Sequence, residues 1–366
     1  MCTSFNRLFS VVGLAGLSIA ATACLGDPIV LTTTNPTGDR WFYPFNFGAG
    51  SEGTIPTFAA LNQSGFDDRD SQMVVIFDTS AAVTPGLDLT RYAVDAVSLR
   101  VTLEIASTDP VIYDPSEDSY FTSLDPSNVN YEADADAGKP IELFAAGYRG
   151  NASLASVSES IAFASVPSFP PQEGIRGVYA ANIDANGAVI ADVSRNVRQG
   201  FDALSLAVGQ TNEVAPGATM PAGTNLTFTL DVHDIAARRY VQSGLQAGKL
   251  VFVVSSLHPA SGGPGGPSGA RVYPVFFSKE NAIASVLDVA PKLVFNGRVR
   301  GDLDYNNDGN IDPSDVDAYF SILGEGPCIS SLGVDATSCD SLDFNSDGNI
   351  DPADVDEYFA VLGEDY

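Results

Sequence analysis

Two acidic segments near the end of the chain have the residue types and spacing of an oxygen-rich metal site. Residues 303–325 have the sequence LDYNNDGNIDPSDVDAYFSILGE, and residues 342–364 have the sequence LDFNSDGNIDPADVDEYFAVLGE. The second segment lies about 39 residues after the first and is roughly three quarters identical to it, which indicates an internal duplication. Each contains D-x-N-x-D-G-N-I-D-x-x-D, a twelve-residue loop that places oxygen ligands at positions 1, 3, 5, 7, 9 and 12 around one cation.

This ligand set predicts calcium, because hard cations with flexible coordination prefer carboxylate and carbonyl oxygens. Gly309 and Gly348 supply the sharp turn at position 6. Without a cation the carboxylates of each loop would repel one another, so we expect two calcium ions to bind as the segment folds. The predicted ligands are Asp304, Asn306, Asp308, Asn310 (by its backbone carbonyl), Asp312 and Asp315 in the first loop, and Asp343, Asn345, Asp347, Asn349 (by its backbone carbonyl), Asp351 and Asp354 in the second.

A helix is predicted after each loop, where it would hold the last ligand. Pro313 and Pro352 suit the first helical turn, in which the missing N–H costs nothing, and Gly324 and Gly363 predict the helix ends. Between these points apolar residues recur with the spacing of one helix face. They are Val316, Tyr319, Phe320 and Leu323 in the first copy and Val355, Tyr358, Phe359 and Leu362 in the second. No helical pattern precedes either loop, so each copy predicts half of a helix-loop-helix unit.

Duplicated half-units with aspartate at position 12 resemble dockerin modules. Gly326-Pro327-Cys328 and Ser338-Cys339-Asp340 are similar to the cysteine-containing (GC-type) variant. The resemblance covers residues 301–366 and implies a small all-α domain that docks onto a cohesin-like partner through hydroxyl residues at loop positions 10 and 11. Here those positions hold Pro313-Ser314 and Pro352-Ala353. Anchoring to another cell-surface protein is therefore an equally good expectation.

The N-terminus predicts export. An apolar run of about 14 residues from Leu8 to Ala21 is too short to span a bilayer and has the size of a signal-peptide core, so we expect a signal peptide over residues 1–23. The following Ala21-Thr22-Ala23-Cys24 suits ordinary signal peptidase and also resembles a bacterial lipobox with lipidation at Cys24. Both alternatives place the protein outside the cell or on its surface, with membrane contact only through an N-terminal lipid.

Export changes the interpretation of the cysteines. Cys328 and Cys339 lie about 11 residues apart, and in an oxidising compartment this spacing predicts a disulfide that closes a short loop. Such a bridge contributes roughly 3 kcal/mol in the loop-entropy model. A zinc site would need further ligands, and His233 and His258 lie far away in the sequence.

Composition excludes two broad classes of protein. The 366 residues carry a net charge of −28, but only 17% are charged and 45% are hydrophobic, which is not the composition of a disordered chain. Nucleic-acid binding is disfavoured because phosphate contacts need clustered Lys and Arg. About 17 of the 46 acidic residues fall after position 300, where the sequence has no Lys or Arg. The negative charge is therefore concentrated in the duplicated segment.

The region from 41 to 297, after a predicted linker over 24–40, has the pattern of a β-sandwich: short β-rich runs broken by Gly, Pro, Asn and Ser. Leu99, Val101, Leu103 and Ile105 alternate with polar residues, as expected of a half-buried strand, and Asn186-Gly187 predicts a two-residue hairpin turn. Residues 109–139 and 261–269 are predicted surface excursions, and residues 233–248 a short helix. The predicted strands are Met73–Phe77, Ala96–Ile105, Ile141–Ala145, Leu204–Val208, Leu226–Val232, Lys249–Ser255, Val272–Phe277 and Pro291–Phe295.

This order of elements resembles the DNRLRE-like and related carbohydrate-binding jelly rolls. The matching pieces are Ile76-Phe77-Asp78, Val97-Ser98-Leu99-Arg100-Val101, the helix near Asp234 to Val241 leading to Leu250–Val254, Phe277-Ser278-Lys279-Glu280 and Ala290-Pro291-Lys292-Leu293. The resemblance implies a surface module for polysaccharide binding or adhesion, without catalytic residues of its own. The expected fold class is thus mainly β: a jelly-roll-like sandwich followed by a small all-α dockerin-like domain.

Three groups of residues in the sandwich have the residue types of a binding or catalytic site. The cluster Asp67, Asp68 and Asp70 fits a jelly-roll calcium site or, as the favoured interpretation, a solvated loop. The aromatic run Trp41, Phe42, Tyr43 and Phe45 fits a sugar-binding platform or, as the favoured interpretation, core. His233 and His258 are expected to be polar surface residues.

No catalytic residue is predicted, since G-x-S-x-G, H-E-x-x-H and phosphate-binding glycine loops are absent from the sequence. The sequence favours an exported, non-catalytic surface, adhesion or carbohydrate-binding protein with a calcium-binding docking or anchoring module. The alternative is a polysaccharide-degrading enzyme, a glycoside hydrolase or lyase with paired carboxylates, that carries the same module. An open cleft lined by paired carboxylates would distinguish the enzyme.

Overall fold

The structure, a computed structural model, describes residues 29–33, 35–46, 50, 52–104, 110–166, 169–261, 272–300, 313–325, 344 and 352–364. The predicted signal peptide, Cys24 and the predicted disulfide between Cys328 and Cys339 lie outside these residues, as does the predicted excursion over 261–269 except for its first residue. None of the helices in the described residues has the length and apolar character needed to cross a bilayer.

The described chain is mainly β, as predicted. The strands are β1 (Ile29–Thr33), β2 (Gly38–Phe42), β3 (Thr54–Pro56), β4 (Gln72–Asp78), β5 (Tyr92–Thr102), β6 (Ile141–Tyr148), β7 (Val178–Ile183), β8 (Val189–Asp192), β9 (Ala207–Val208), β10 (Asn225–Thr229), β11 (Lys249–Ser256), β12 (Val275–Phe277) and β13 (Lys292–Val299). The α-helices are α1 (Asn196–Gln199), α2 (Ile235–Gln246), α3 (Ala284–Leu287), α4 (Pro313–Glu325) and α5 (Pro352–Glu364). Short 3₁₀ turns occur at Leu89–Arg91, Tyr120–Ser123 and Val193–Arg195.

Two antiparallel sheets form the body of the fold. One has the strand order β1-β13-β5-β10, and the other has the order β2-β4-β11-β6-β7-β8 with β9 also beside β6. A small ribbon pairs β3 with β12. The pairing of β5 with β13 places Leu99 opposite Leu293, and the pairing with β10 places Leu99 opposite Phe228. Apolar side chains are thereby aligned across neighbouring strands of the first sheet.

One apolar core lies between the two sheets. Leu99 and Val101 are fully buried in it and Leu103 is nearly so, as predicted, but the intervening Thr102 is also buried, at 1% exposed. Ile105 lies outside the described residues. Burying each such side chain contributes about 1.5–3 kcal/mol. The core residues on the sheet strands are Tyr92, Val94, Val97, Leu99, Val101, Leu226, Phe228, Leu293, Phe295 and Val299 from the first sheet and Met73, Val75, Phe77, Ile141, Leu143, Leu250, Phe252 and Val254 from the second.

The second sheet is buried on its outer face as well. Val74, Ile76 and Phe144 lie in a second apolar cluster with Val157 and with Phe163, which is partly buried. The last two residues belong to the long connection between β6 and β7, which covers this face. Burial on both sides explains why β4 and β11 have nearly continuous apolar sequences rather than an alternating pattern.

The helix predicted over residues 233–248 is α2. Asp234 caps its first turn by accepting a hydrogen bond from the N–H of Ala236. Val241 and Leu245 are fully buried in the main core, and Gln242 donates from Nε2 to the carbonyl of Tyr92 at 2.8 Å. The helix therefore closes one end of the sandwich.

Several predicted boundaries differ from the structure, and three differ most. The linker predicted over 24–40 contains β1 and most of β2, because the whole of β1 pairs with the Leu293–Gly297 part of β13. The strand predicted over Leu204–Val208 is reduced to β9, since Leu204 is 58% exposed and its N–H is bonded to Asn182 Oδ1 rather than to a neighbouring strand. Ile183 pairs with Val189, so the hairpin loop spans residues 184–188 and is not a two-residue turn.

The predicted start of each C-terminal helix is confirmed: α4 begins at Pro313 and α5 at Pro352. Each includes the glycine that was expected to end it, Gly324 or Gly363. Glu357 of α5 contacts the end of β13 through Arg298 at 2.5 Å and Arg300 at 3.5 Å. These ion pairs join the last strand of the sandwich to the duplicated segment.

Candidate functional site

Ten of the twelve predicted calcium ligands lie outside the described residues. They are Asp304, Asn306, Asp308, Asn310, Asp312, Asp343, Asn345, Asp347, Asn349 and Asp351. The position-12 ligands, Asp315 and Asp354, are described, and both are 0% exposed. Each is the third residue of its helix, where the N-terminal end of the helix dipole stabilises a negative charge.

The two helices meet through their tyrosines. Tyr319 and Tyr358 are both 0% exposed, and their rings stack with centroids 4.5 Å apart at an interplanar angle of 14°. Phe344, which follows the first ligand of the second loop, meets the Tyr358 ring edge-on at 5.4 Å. The predicted apolar stripe is therefore confirmed at these tyrosines, which join the two copies.

The position-12 carboxylates act across this helix pair. Burial, and then the nearby Asp354 carboxylate, raises the pKa of Tyr319 to about 12. Burial, and then Asp315 and Tyr319, raises the pKa of Tyr358 to about 12. Each aspartate thus lies close to the tyrosine of the other copy, a reciprocal arrangement that follows from the duplication.

Two aromatic residues of the predicted stripe are exposed. Phe320 is 42% exposed and Phe359 is 46% exposed, with ring centroids 6.1 Å apart. Although they share the predicted stripe with the tyrosines, these two rings lie on the outer side of the helix pair. The side chains of Leu323 and Leu362 lie outside the description.

The aromatic run that begins in β2 divides between core and surface. Phe42 is fully buried, whereas Phe45 is 41% exposed and Trp41 and Tyr43 are partly exposed. Trp41 and Tyr43 stack at 5.1 Å, and Tyr43 meets Phe45 at 5.5 Å. Assignment of the run to the core is therefore confirmed for Phe42 and in part for Trp41, which packs against the core between the sheets, and it is wrong for Phe45.

Two aromatic residues from other loops extend this surface. Phe66 lies 6.0 Å from Phe45, and Phe169, which is 84% exposed, lies 6.5 Å from Phe45. Sequence reasoning missed both, since neither belongs to a periodic pattern and both reach the surface only through the tertiary fold. We call the five residues Trp41, Tyr43, Phe45, Phe66 and Phe169 the aromatic row.

The Asp67–Asp70 segment is a buried ion-pair network, so the prediction of a solvated loop is wrong. Asp67, Asp68 and Asp70 are at most 2% exposed. Asp67 accepts from Arg176 Nε at 2.9 Å, and Asp68 accepts from Arg198 Nε at 2.7 Å. Guanidinium groups supply the positive charge, which leaves no role for a calcium ion at these oxygens.

Three further carboxylates surround Lys279. Its Nζ lies 3.3 Å from Asp39 Oδ1 and also contacts Glu159 and Glu280. Burial, and then the Glu280 carboxylate, raises the pKa of Asp39 to about 8. The ammonium group occupies the centre of this cluster, in the place that a metal ion would take.

The two histidines have different environments. His233 is exposed, as predicted. His258 is only 5% exposed, so the expectation of a surface position is wrong. Burial lowers the pKa of His258 to about 3, which leaves the ring neutral and out of contact with any substrate in solution.

Two of the cavities in the described part of the chain have acidic residues in their lining. One, of about 330 Å³, is lined in part by Asp68, Tyr120, Asp125 and Arg198. Asp68 accepts hydrogen bonds there from Arg198 through both carboxylate oxygens. The other, of about 220 Å³, has Asp95 in its lining.

Comparison with known proteins leaves both halves of the chain without an assigned family. The sequence matches no protein-family model and no curated protein.

Removal of Arg176 tests the ion-pair network. Arg176→Gln leaves Asp67 and Asp70 buried without their main counter-charge, so the free energy of unfolding should fall by about 3–5 kcal/mol in urea titrations. Arg100→Gln, which breaks the more exposed pair with Asp288, should cost at most about 1 kcal/mol. Equal losses in the two variants would contradict this account.

Proposed function

We propose that the chain is an exported, non-catalytic binding protein whose β-sandwich holds polysaccharide and whose duplicated C-terminal segment binds two calcium ions and docks onto a cell-surface partner. The observation that carries this proposal is the reciprocal burial of Asp315 and Asp354 at the start of paired helices. Position 12 of both loops is thereby held inside the helix pair, where the helix N-terminus favours an ionised carboxylate and a bound cation would stabilise it further.

The predicted ligands of the duplicated segment suit calcium better than zinc. The predicted donors of each loop are oxygens, and no cysteine or histidine occurs among them, which disfavours zinc. Residues 301–366 contain no Lys or Arg, so the segment supplies no cation of its own. Extracellular loops of this type bind calcium with dissociation constants on the order of micromolar to millimolar.

The aromatic row supports the polysaccharide part of the proposal. Sugar rings present flat faces of C–H groups that stack on aromatic rings, and an exposed aromatic patch on a secreted protein is typical of a binding surface. Phe45 and Phe169 are accessible at one end of the row. Trp41 is fixed by a hydrogen bond from its Nε1 to Ser71 Oγ at 2.6 Å. The row therefore combines a fixed base with exposed contacts.

The docking part is supported by the outer side of the helix pair. Phe320 and Phe359 present two adjacent exposed rings at equivalent positions of the two copies. Exposed aromatic residues are frequent anchors in protein interfaces. The dockerin resemblance assigns cohesin contacts to loop positions 10 and 11. The residues at these positions, Pro313-Ser314 and Pro352-Ala353, are also exposed. A cohesin-like or other cell-surface protein is the proposed partner.

Calcium binding is tested by counting ions on the full mature chain by isothermal calorimetry. Asp304→Ala and Asp343→Ala remove the first ligand of each loop, so each variant should bind one ion fewer than the unaltered chain. Asp317→Ala and Asp356→Ala remove exposed carboxylates outside the ligand set and should leave the count unchanged. An unchanged count in the first pair of variants would refute the calcium proposal.

Polysaccharide binding is tested on a glycan array followed by affinity measurements on the best ligand. Phe169→Ala should weaken binding roughly ten- to a hundredfold, since burying a phenylalanine contributes about 1.5–3 kcal/mol. Val129→Ala, at a side chain that is 95% exposed outside the row, should have no effect. Release of shorter sugars from the bound polysaccharide would instead establish the hydrolase or lyase alternative.

A further inference from the structure

The loop between β5 and β6 brings four aspartates together. An oxygen of each of Asp114, Asp118, Asp134 and Asp136 lies within 4.8 Å of an oxygen of every other member. The residues come from two stretches of the loop that are separated by about 20 residues. The sequence predicts only a polar surface excursion here. The cluster is not visible in the sequence because the four residues become neighbours only when the loop folds back on itself.

Asp114 lies at the base of this cluster and is 3% exposed. Its Oδ1 accepts hydrogen bonds from the N–H of Ser116 at 2.9 Å and from Ser116 Oγ at 2.5 Å. Its Oδ2 is buried and has no hydrogen-bond partner among the described residues. A buried carboxylate oxygen in this state carries a large desolvation penalty unless a proton or a cation contacts it.

The four carboxylates lack the basic partner that buried acids elsewhere in the sandwich have, such as Asp67 with Arg176 and Glu142 with Arg69. Within the described residues, no Lys, Arg or His nitrogen forms an ion pair with any of them. Burial and then the Asp134 carboxylate raise the pKa of Asp118 to about 7, while Lys139 acts in the opposite direction. The cluster therefore has a strong requirement for positive charge near neutral pH.

The backbone is shaped to keep the carboxylates close. Gly138 has a φ of +119°, a conformation that favours glycine. A Cβ at this position would lie 2.9 Å from Asp114 Cβ and 3.1 Å from the carbonyl oxygen of Ile112. Ser116 Oγ also donates to Asp136 Oδ2 at 2.9 Å. Glycine at 138 thus allows the two stretches of the loop to approach.

We propose that Asp114, Asp118, Asp134 and Asp136 bind one calcium ion in the sandwich, separate from the two ions of the duplicated segment. The donors are all carboxylate oxygens, which suit a hard cation, and the cluster contains no nitrogen or sulfur ligand for zinc. Calcium accepts six to eight oxygens in irregular geometry, so water can complete the shell around four carboxylates. Magnesium demands near-octahedral geometry and gives up its own water reluctantly.

The test counts calcium on the full chain by equilibrium dialysis with metal analysis. The Asp134→Asn/Asp136→Asn variant should bind one ion fewer than the unaltered chain, and its calcium-induced rise in melting temperature should be smaller. Both residues are at least partly exposed, so the variant should fold; circular dichroism checks this. The matched control Asp125→Asn/Glu132→Gln changes two exposed carboxylates of the same loop and should bind the full number of ions.

Failure here is distinguishable from failure of the two-ion proposal. In the Asp304→Ala/Asp343→Ala background, one ion should remain, and adding Asp134→Asn/Asp136→Asn should remove it. Two results would overturn the sandwich site. One is that no ion binds in that background, and the other is that an ion still binds after Asp134→Asn/Asp136→Asn is added. Displacement of calcium by an equal concentration of magnesium would also overturn it.

Discussion

A carboxylate removed from water needs a positive charge beside it, and this constraint governs the structure. The chain has 46 acidic and 18 basic residues, so basic side chains cannot neutralise every acid. In the sandwich the scarce cations are placed where carboxylates are deepest: Arg176 at Asp67, Arg198 at Asp68 and Lys279 at Asp39. Each such pair offsets a desolvation cost that would otherwise oppose folding.

Two acidic groups define where the protein is proposed to take cations from solution. One is the duplicated segment, which contains no Lys or Arg of its own. The other is the Asp114 cluster in the sandwich. On this account the proposed sites hold twelve of the 46 acidic residues, and calcium ions would supply positive charge in both halves of the protein.

Local signals in the sequence predicted local structure well. The alternation of Leu99 and Val101 identified β5, the spacing around Asp234 identified α2, and the prolines identified the starts of α4 and α5. Contacts between distant segments could not be predicted. Arg176 lies 109 residues from Asp67, and Lys279 lies 240 residues from Asp39, so nothing in the local sequence indicates that these acids are buried and paired. The aromatic row and the Asp114 cluster involve the same difficulty. The row joins β2 and the residues after it to two other loops, and the cluster joins two distant stretches of one loop.

The most direct test of the central claim is a crystal structure of the full chain grown with calcium, with anomalous scattering measured at long wavelength. The account predicts strong anomalous peaks within about 2.3–2.6 Å of the Asp315 and Asp354 carboxylates, with the stacked tyrosines between the two sites. The account would be contradicted if crystals that contain millimolar calcium showed no anomalous peak at coordinating distance from the Asp315 and Asp354 carboxylates.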